Sequence, residues 1–371
     1  MRMRKLDDPE DLKNIDRSGM LGLITDYPDL LLEGLNYGWA IEPREFGKTP
    51  SKVVLVGYGG SAISGDILRN RFSGKAEVPI EVCRGLALPA YIDEETLMVC
   101  TSYSGETEET LKLLVESSRA GINVAALTAG GMIAGICDRF QIPMIRVRGG
   151  FPPRAALPLL LSALATVLSS YSVIANVRNE INQTAEELRA QVSRLGPSVN
   201  SELNPCKKLA LELLDTMPVV YSLERMSSVA RRLKDQFNEN SKIAAKYDLV
   251  PEACHNEVEG WSRDWLMMMS PLRFASIFIR DSKESPDESY RMDLLKEQLE
   301  LVGLKTHETR AEANTELGRL LLPINFGDFV SAYLALARGV DPTPLTAIEE
   351  IKRKVETRTR EKERLRRLLS G

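Results

Sequence analysis

Histidine is scarce in this chain of 371 residues, which holds only His255 and His307. A metal site built on several imidazoles is therefore excluded. Cysteine is almost as scarce: Cys83, Cys100, Cys137, Cys206 and Cys254 are odd in number, and no two stand close together. That spacing excludes a disulfide framework and a zinc knuckle and fits a reducing compartment, so the cytoplasm is expected. Neither sign of charge dominates, since 48 Lys and Arg face 52 Asp and Glu for a formal net of −4. No basic, aromatic-rich stripe of the kind that grips nucleic acid is present. The locally basic stretch from Lys352 to Arg367 interleaves Glu356, Glu361 and Glu363 with its bases, and reads as a solvated helix face. No run of eighteen apolar residues occurs. The longest greasy stretch, around Leu157 to Leu168, is broken by Pro158 and Ser162, so no membrane span is expected. Acids rather than an apolar core follow the basic start Met1-Arg-Met-Arg-Lys, and a signal peptide is not expected either.

What is present is an ordinary globular composition, 43 % hydrophobic and 27 % charged, in a length that suits two or three domains. The first forty residues read as helical, with Asp7-Asp8-Pro9 and Asp26-Tyr27-Pro28 as turn or cap signals. Short apolar runs then alternate with helical periodicity. Strands are expected at Lys52 to Val56, Pro79 to Cys83, Thr96 to Thr101, Val124 to Thr128 and Pro143 to Val147. Helices are expected from Ala62 to Phe72, from Glu108 to Ala120 and onward from Arg154. Such alternation predicts an α/β fold, a doubly wound parallel sheet with helices on both faces. A second unit begins near Pro197, with strands at Pro218 to Ser222 and Phe274 to Ile279, and a helix from Ser228. A buried helix from Asn325 to Arg338 and a terminal helix from near Thr346 follow. Laid without gaps on the first unit, Val219, Val220 and Ser227 fall on Val53, Val54 and Ser61. That reads as a degenerate duplication in which only the first copy kept its glycines. The expected organisation is an N-terminal helical extension over 1–40, a first domain over 41–196 and a second over 197–371.

Two loops carry chemistry. Gly57-Tyr-Gly-Gly-Ser61 leaves a strand and opens a helix, where glycines let backbone N–H groups approach an anion and the helix start adds a favourable field. Alone it is ambiguous. Gly57-x-Gly59-x-x-Ala62 also fits a relaxed dinucleotide fingerprint, with Glu81, 22 residues past Gly59, as the ribose carboxylate; a merely structural turn would look the same. The third strand then ends in Ser102-Tyr-Ser104-Gly-Glu-Thr107, which places three hydroxyls at a second strand-to-helix junction. A plain N-cap needs one hydroxyl, whereas three suit a tetrahedral phosphate. Two anion loops from neighbouring strands point to a sugar monophosphate rather than a dinucleotide.

Gly57-Tyr-Gly-Gly-Ser-Ala-Ile-Ser-Gly-Asp66 and Ser102-Tyr-Ser-Gly-Glu-Thr-Glu-Glu-Thr110 resemble the phosphate-binding signatures of the sugar isomerase (SIS) domain. Phe151-Pro-Pro-Arg154, Lys234-Asp-Gln-Phe-Asn-Glu-Asn-Ser-Lys242 and His255-Asn-Glu-Val-Glu-Gly-Trp261 narrow the resemblance to the bifunctional phosphoglucose/phosphomannose isomerases, from about residue 40 onward. That resemblance implies two SIS-type domains and an aldose–ketose isomerase needing no metal or other cofactor. Gly59, Gly60, Ser61, Ser102, Ser104 and Thr107 would hold the substrate phosphate. Glu239 would be the carboxylate that moves the proton, His255 and Lys352 would assist ring opening, and Arg154 would steady the enediolate. Family members that handle mannose carry a threonine before the lysine; Thr346 and Thr343 are the candidates for tolerance at C2, and neither sits two full turns before Lys352. A homodimer in which His255 reaches the partner's pocket is implied, with a sugar 6-phosphate as the other partner. His307, in a polar context, is expected to be exposed. The rival readings are a non-catalytic sugar-phosphate sensor, for which Glu239 and His255 would be superfluous, and an NAD(P)-dependent oxidoreductase using Gly57 to Ala62. An aminotransferring sugar-phosphate enzyme would need an N-terminal cysteine, which the chain lacks.

Overall fold

The computed structural model describes residues 6–37, 49–268 and 273–370. Helix expected at 38–40 lies outside them. Two compact units form, one from Met1–Pro28 with Gln183–Pro344 and the other from Asp29–Asn182 with Leu345–Gly371. They cut the chain differently from a division at 40 and 196. The helix Met20–Thr25 packs on the long helix Glu316–Ala337, where the Asn325 side-chain amide donates to the Ile24 carbonyl at 3.1 Å. The helix Glu361–Ser370 packs on Gly131–Phe140 and places Leu365 in the core of the unit that holds residues 29–182.

That unit holds β1 (Lys52–Val56), β2 (Ile80–Cys83), β3 (Thr96–Thr101), β4 (Asn123–Thr128) and β5 (Met144–Arg146), all parallel, in the order β2-β1-β3-β4-β5. The other holds β6 (Met217–Leu223), β7 (Lys246–Val250), β8 (Phe274–Asp281) and β9 (Lys305–Ala311), parallel again, in the order β7-β6-β8-β9. The first four strands of each sheet therefore share one connectivity, and the helices Gly60–Phe72 and Ser227–Glu239 follow β1 and β6 in corresponding places. Central strands covered on both faces read as continuous apolar runs, and β3 is buried at every position. β7 and β9 do not read that way. Each lies at a sheet edge with a largely polar sequence, so no apolar run announces it.

The helix Glu316–Ala337 extends well upstream of the expected start at Asn325. With a mean hydropathy of 1.5 over its most apolar window it is long and apolar enough to cross a membrane, unlike the shorter Leu157–Ser170, yet 94 % of that window is buried inside the protein. It is the core helix of its unit, and it carries a buried charge. Arg232 donates to both carboxylate oxygens of Asp328, at 3.0 and 2.8 Å, and to the Tyr27 hydroxyl at 3.0 Å, while Tyr27 donates to Asp328. Burial by itself would disfavour the Arg232 charge. The Asp328 carboxylate outweighs it and holds the guanidinium's pKa above its ordinary value. Burial also pushes the Tyr27 phenol up, so it stays a neutral donor. Asp328→Ala would take the buried carboxylate away from the Arg232 charge and is expected to cost about 3–5 kcal/mol. The check is a urea unfolding curve, where an unchanged midpoint would show that the pair does not support the core.

Candidate functional site

Beyond β1 the backbone turns through Gly59, whose φ of +54° is one that L side chains rarely adopt, and enters the helix Gly60–Phe72. Gly60 is needed for closeness. A Cβ there would stand 3.0 Å from the Arg154 Cα and 3.2 Å from the Pro153 carbonyl oxygen. Ser61 is buried in the first turn of that helix, and its Oγ accepts the Tyr103 backbone N–H at 3.2 Å. This bond ties the first loop to the second.

The second loop closes on itself. Ser102 Oγ lies 2.9 Å from Thr107 Oγ1, and Ser104 Oγ accepts the Glu106 N–H at 3.2 Å. Thr107 occupies the N-cap of the helix Glu108–Arg119 without using its hydroxyl as a cap. Neither this helix nor Gly60–Phe72 carries a side-chain cap. Two helix N-termini without side-chain caps therefore stand on tied loops, each with the positive end of its macrodipole forward, although the Ser61 and Ala62 N–H groups already donate to the Tyr58 and Gly59 carbonyls at 3.3 and 3.1 Å. Glu81, which a dinucleotide would use, already accepts the Tyr91 hydroxyl.

Tyr103 extends the frame to Arg154. Its hydroxyl donates to the Arg148 carbonyl at 3.0 Å and accepts the Phe151 N–H at 3.1 Å, and the two rings stack at 6.4 Å. Burial raises the phenol's pKa, which keeps it a donor. Arg148 lies over the Phe151 ring at 4.7 Å and pairs with Glu33 at 2.7 Å. These contacts hold the loop that delivers Arg154, itself 2 % exposed, beside Gly60. Tyr103, Arg148 and Glu33 were missed from the sequence, although a tyrosine set between two candidate serines was a signal.

One unit thus brings together Gly59, Gly60, Ser61, Ser102, Ser104, Thr107 and Arg154. Lys352 and Thr346 belong to the same unit, exposed on the helix Thr346–Thr359. Six positions apart, they point about 120° from one another around the axis, so the helix does not pair them.

The other unit holds Glu239 and His255. Glu239 is half-buried at the end of Ser227–Glu239, two turns past Arg232, and its carboxylate adds to the field that keeps Arg232 charged. The chain beyond it is fixed by Asn240 donating to Ser331 Oγ at 3.0 Å and Ser241 donating to the Ser331 carbonyl at 2.7 Å. His255 ends the turn Glu252–His255 and is exposed. His307, expected to be exposed, is instead half-buried on β9, 3.1 Å from the Glu212 carboxylate, and burial lowers its pKa. The helix Pro205–Glu212 supplies that partner. Among the described residues no group of three or more His, Cys, Asp and Glu could hold a metal ion.

Residues 202–355 match the family model described as the bacterial phospho-glucose isomerase C-terminal SIS domain. A bifunctional phosphoglucose/phosphomannose isomerase from Caldicellulosiruptor bescii is 31 % identical over 91 % of this chain and 98 % of its own length. Another, from Aquifex aeolicus, is 33 % identical over 82 % of this chain and 90 % of its own. Among solved structures, a glucose-6-phosphate isomerase like protein from Thermus thermophilus covers 94 % of this chain and 99 % of its own at a TM-score of 0.62. At 21 % identity, that likeness speaks for the fold. Ser102→Ala removes the hydroxyl that holds Thr107 over its helix start, and is expected to weaken binding of inorganic phosphate roughly tenfold. A thermal-shift titration measures it; an unaltered Kd would take Ser102 out of the anion cradle.

Proposed function

We infer the reaction from kinship and chemistry together: the chain belongs to the bifunctional phosphoglucose/phosphomannose isomerase family, and it is an aldose–ketose isomerase that interconverts glucose 6-phosphate and mannose 6-phosphate with fructose 6-phosphate. The observation that carries this is 31 % identity to such an enzyme across 91 % of the chain. Both aldoses differ only at C2 and pass through one enediolate, so a site loose around C2 serves both.

In this reading the phosphate sits on the N–H groups of Gly59 and Gly60 and on the hydroxyls of Ser61, Ser102, Ser104 and Thr107. The two helix starts, neither of which has a side-chain cap, support that assignment through the field of their macrodipoles. His255 and Lys352 help to open the sugar ring. Glu239 takes the proton from one carbon as a general base and returns it to the neighbouring carbon as a general acid. Its half-buried place beside Arg232 keeps the carboxylate in a defined setting. Arg154 faces the oxygen that becomes negative in the enediolate, a pre-placed cation of the kind whose loss costs about 3–4 kcal/mol at oxyanion sites. Its burial behind Pro152 and Pro153 supports that role, because a cation held in place needs no reorganisation as charge develops. The exposure of His255 supports a place at the interface of a homodimer. Action in the cytoplasm agrees with five cysteines that are all free.

A coupled assay for fructose 6-phosphate, run on each aldose phosphate with EDTA present, tests the reaction. Turnover on both is expected, and turnover on neither would overturn it. In the same assay Glu239→Gln is expected to lower kcat by about 10²–10⁴ with KM little changed. Retained turnover would remove Glu239 as the proton carrier.

A further inference from the structure

Glu257 stands two residues past His255 and opens the four-residue helix Glu257–Gly260. A helix that short cannot hold itself, so its orientation must come from outside contacts. They converge on one atom. Glu257 Oε1 accepts the Tyr221 hydroxyl at 2.9 Å, the Trp261 indole N–H at 3.2 Å and the Lys246 ammonium at 2.7 Å. The indole N–H also reaches the Tyr221 oxygen at 3.0 Å, and the ammonium lies 5.7 Å from the Trp261 ring centroid. Register sets Tyr221 beside Asp248 and Val219 beside Lys246, so these side chains share one face of the sheet. On that face Asp248 accepts the N–H of its neighbour Leu249 at 2.7 Å.

The other charged groups on the elements packed here are engaged elsewhere or exposed. Glu252 accepts the Asn256 amide at 2.6 Å, and Arg291, on the helix Pro286–Leu301, pairs with Asp287 and lies near Cys254. His255 and Glu259 are exposed. The helix Pro286–Leu301 turns Met292, Leu295 and Leu299 into the core. An apolar side chain would anchor the short helix with less desolvation. A carboxylate with several directional partners does something more, since it fixes orientation.

We propose that Glu257 is a positioning residue for His255, clamping the His-Asn-Glu segment to the β6–β7 edge of its sheet through Tyr221, Trp261 and Lys246. The inference rests on the assignment of His255 to ring opening. Glu257 is held below its ordinary range: burial opposes this, and the bonds from Lys246 and Tyr221 outweigh it.

Steady-state kinetics on His255→Ala, Glu257→Gln and the double variant test it. Glu257→Gln is expected to lower kcat roughly ten- to hundredfold with KM within about twofold, as a misplaced group does. The double variant is expected to be no slower than His255→Ala, because one residue acts through the other. Unchanged turnover in Glu257→Gln, or a double variant slower by its full factor, overturns the proposal and leaves His255 standing. Full turnover in His255→Ala overturns the His255 assignment and this inference with it.

Discussion

Every strand pairing described in the two sheets is parallel, and the rest of the molecule depends on that constraint. A parallel neighbour cannot be reached by a tight hairpin, so each strand is followed by a crossover, usually a helix. Strand ends of one polarity then gather along one edge, and each helix that follows presents its unsatisfied N–H groups there. The order β2-β1-β3 places the winding reversal between β1 and β3, the crevice where open α/β sheets bind ligands. The loops after these strands are the glycine loop and the serine loop. Ser61 and Tyr103 meet there across 42 residues of chain because the crossovers demand it.

The second sheet repeats the connectivity and has lost the cradle. Its reversal falls between β6 and β8, and the loops there hold Arg225 and Asp281 rather than glycines and hydroxyls. Arg225 Nε donates to Asp281 at 3.0 Å, Arg319 pairs with the same carboxylate at 3.1 Å, and Ser285 and Glu288 close a capping box on the helix that follows. On the helix after β8 the first N–H groups are taken by the chain's own oxygens, and carboxylates crowd the position.

The second unit holds buried polar pairs near its candidate proton-moving residues. Arg232, paired with Asp328, feels the Glu239 carboxylate, and Glu257, bound by Tyr221, Trp261 and Lys246, stands two residues past His255. Buried ion pairs contribute little net stability compared with apolar packing, but their geometry is directional.

The sequence by itself determined the alternation of strands and helices, the parallel α/β class, the helix from Thr346 and the place of the glycine and serine loops at strand-to-helix junctions. These depend on periodicity and turn residues within a few positions of one another. It could not show β7 and β9, because an edge strand needs only lateral hydrogen bonds and carries no apolar run. Nor could it show that the longest apolar helix begins at Glu316, since Pro323 inside it reads as a helix breaker. Tertiary structure alone decided which distant side chains meet: Tyr103 with Phe151, Tyr27 with Asp328 across 301 residues, and Glu257 with Tyr221 and Lys246. Local sequence sets the shape of each element, whereas a pairing across the fold is set by crossover geometry and by the need to satisfy every polar group that folding removes from water.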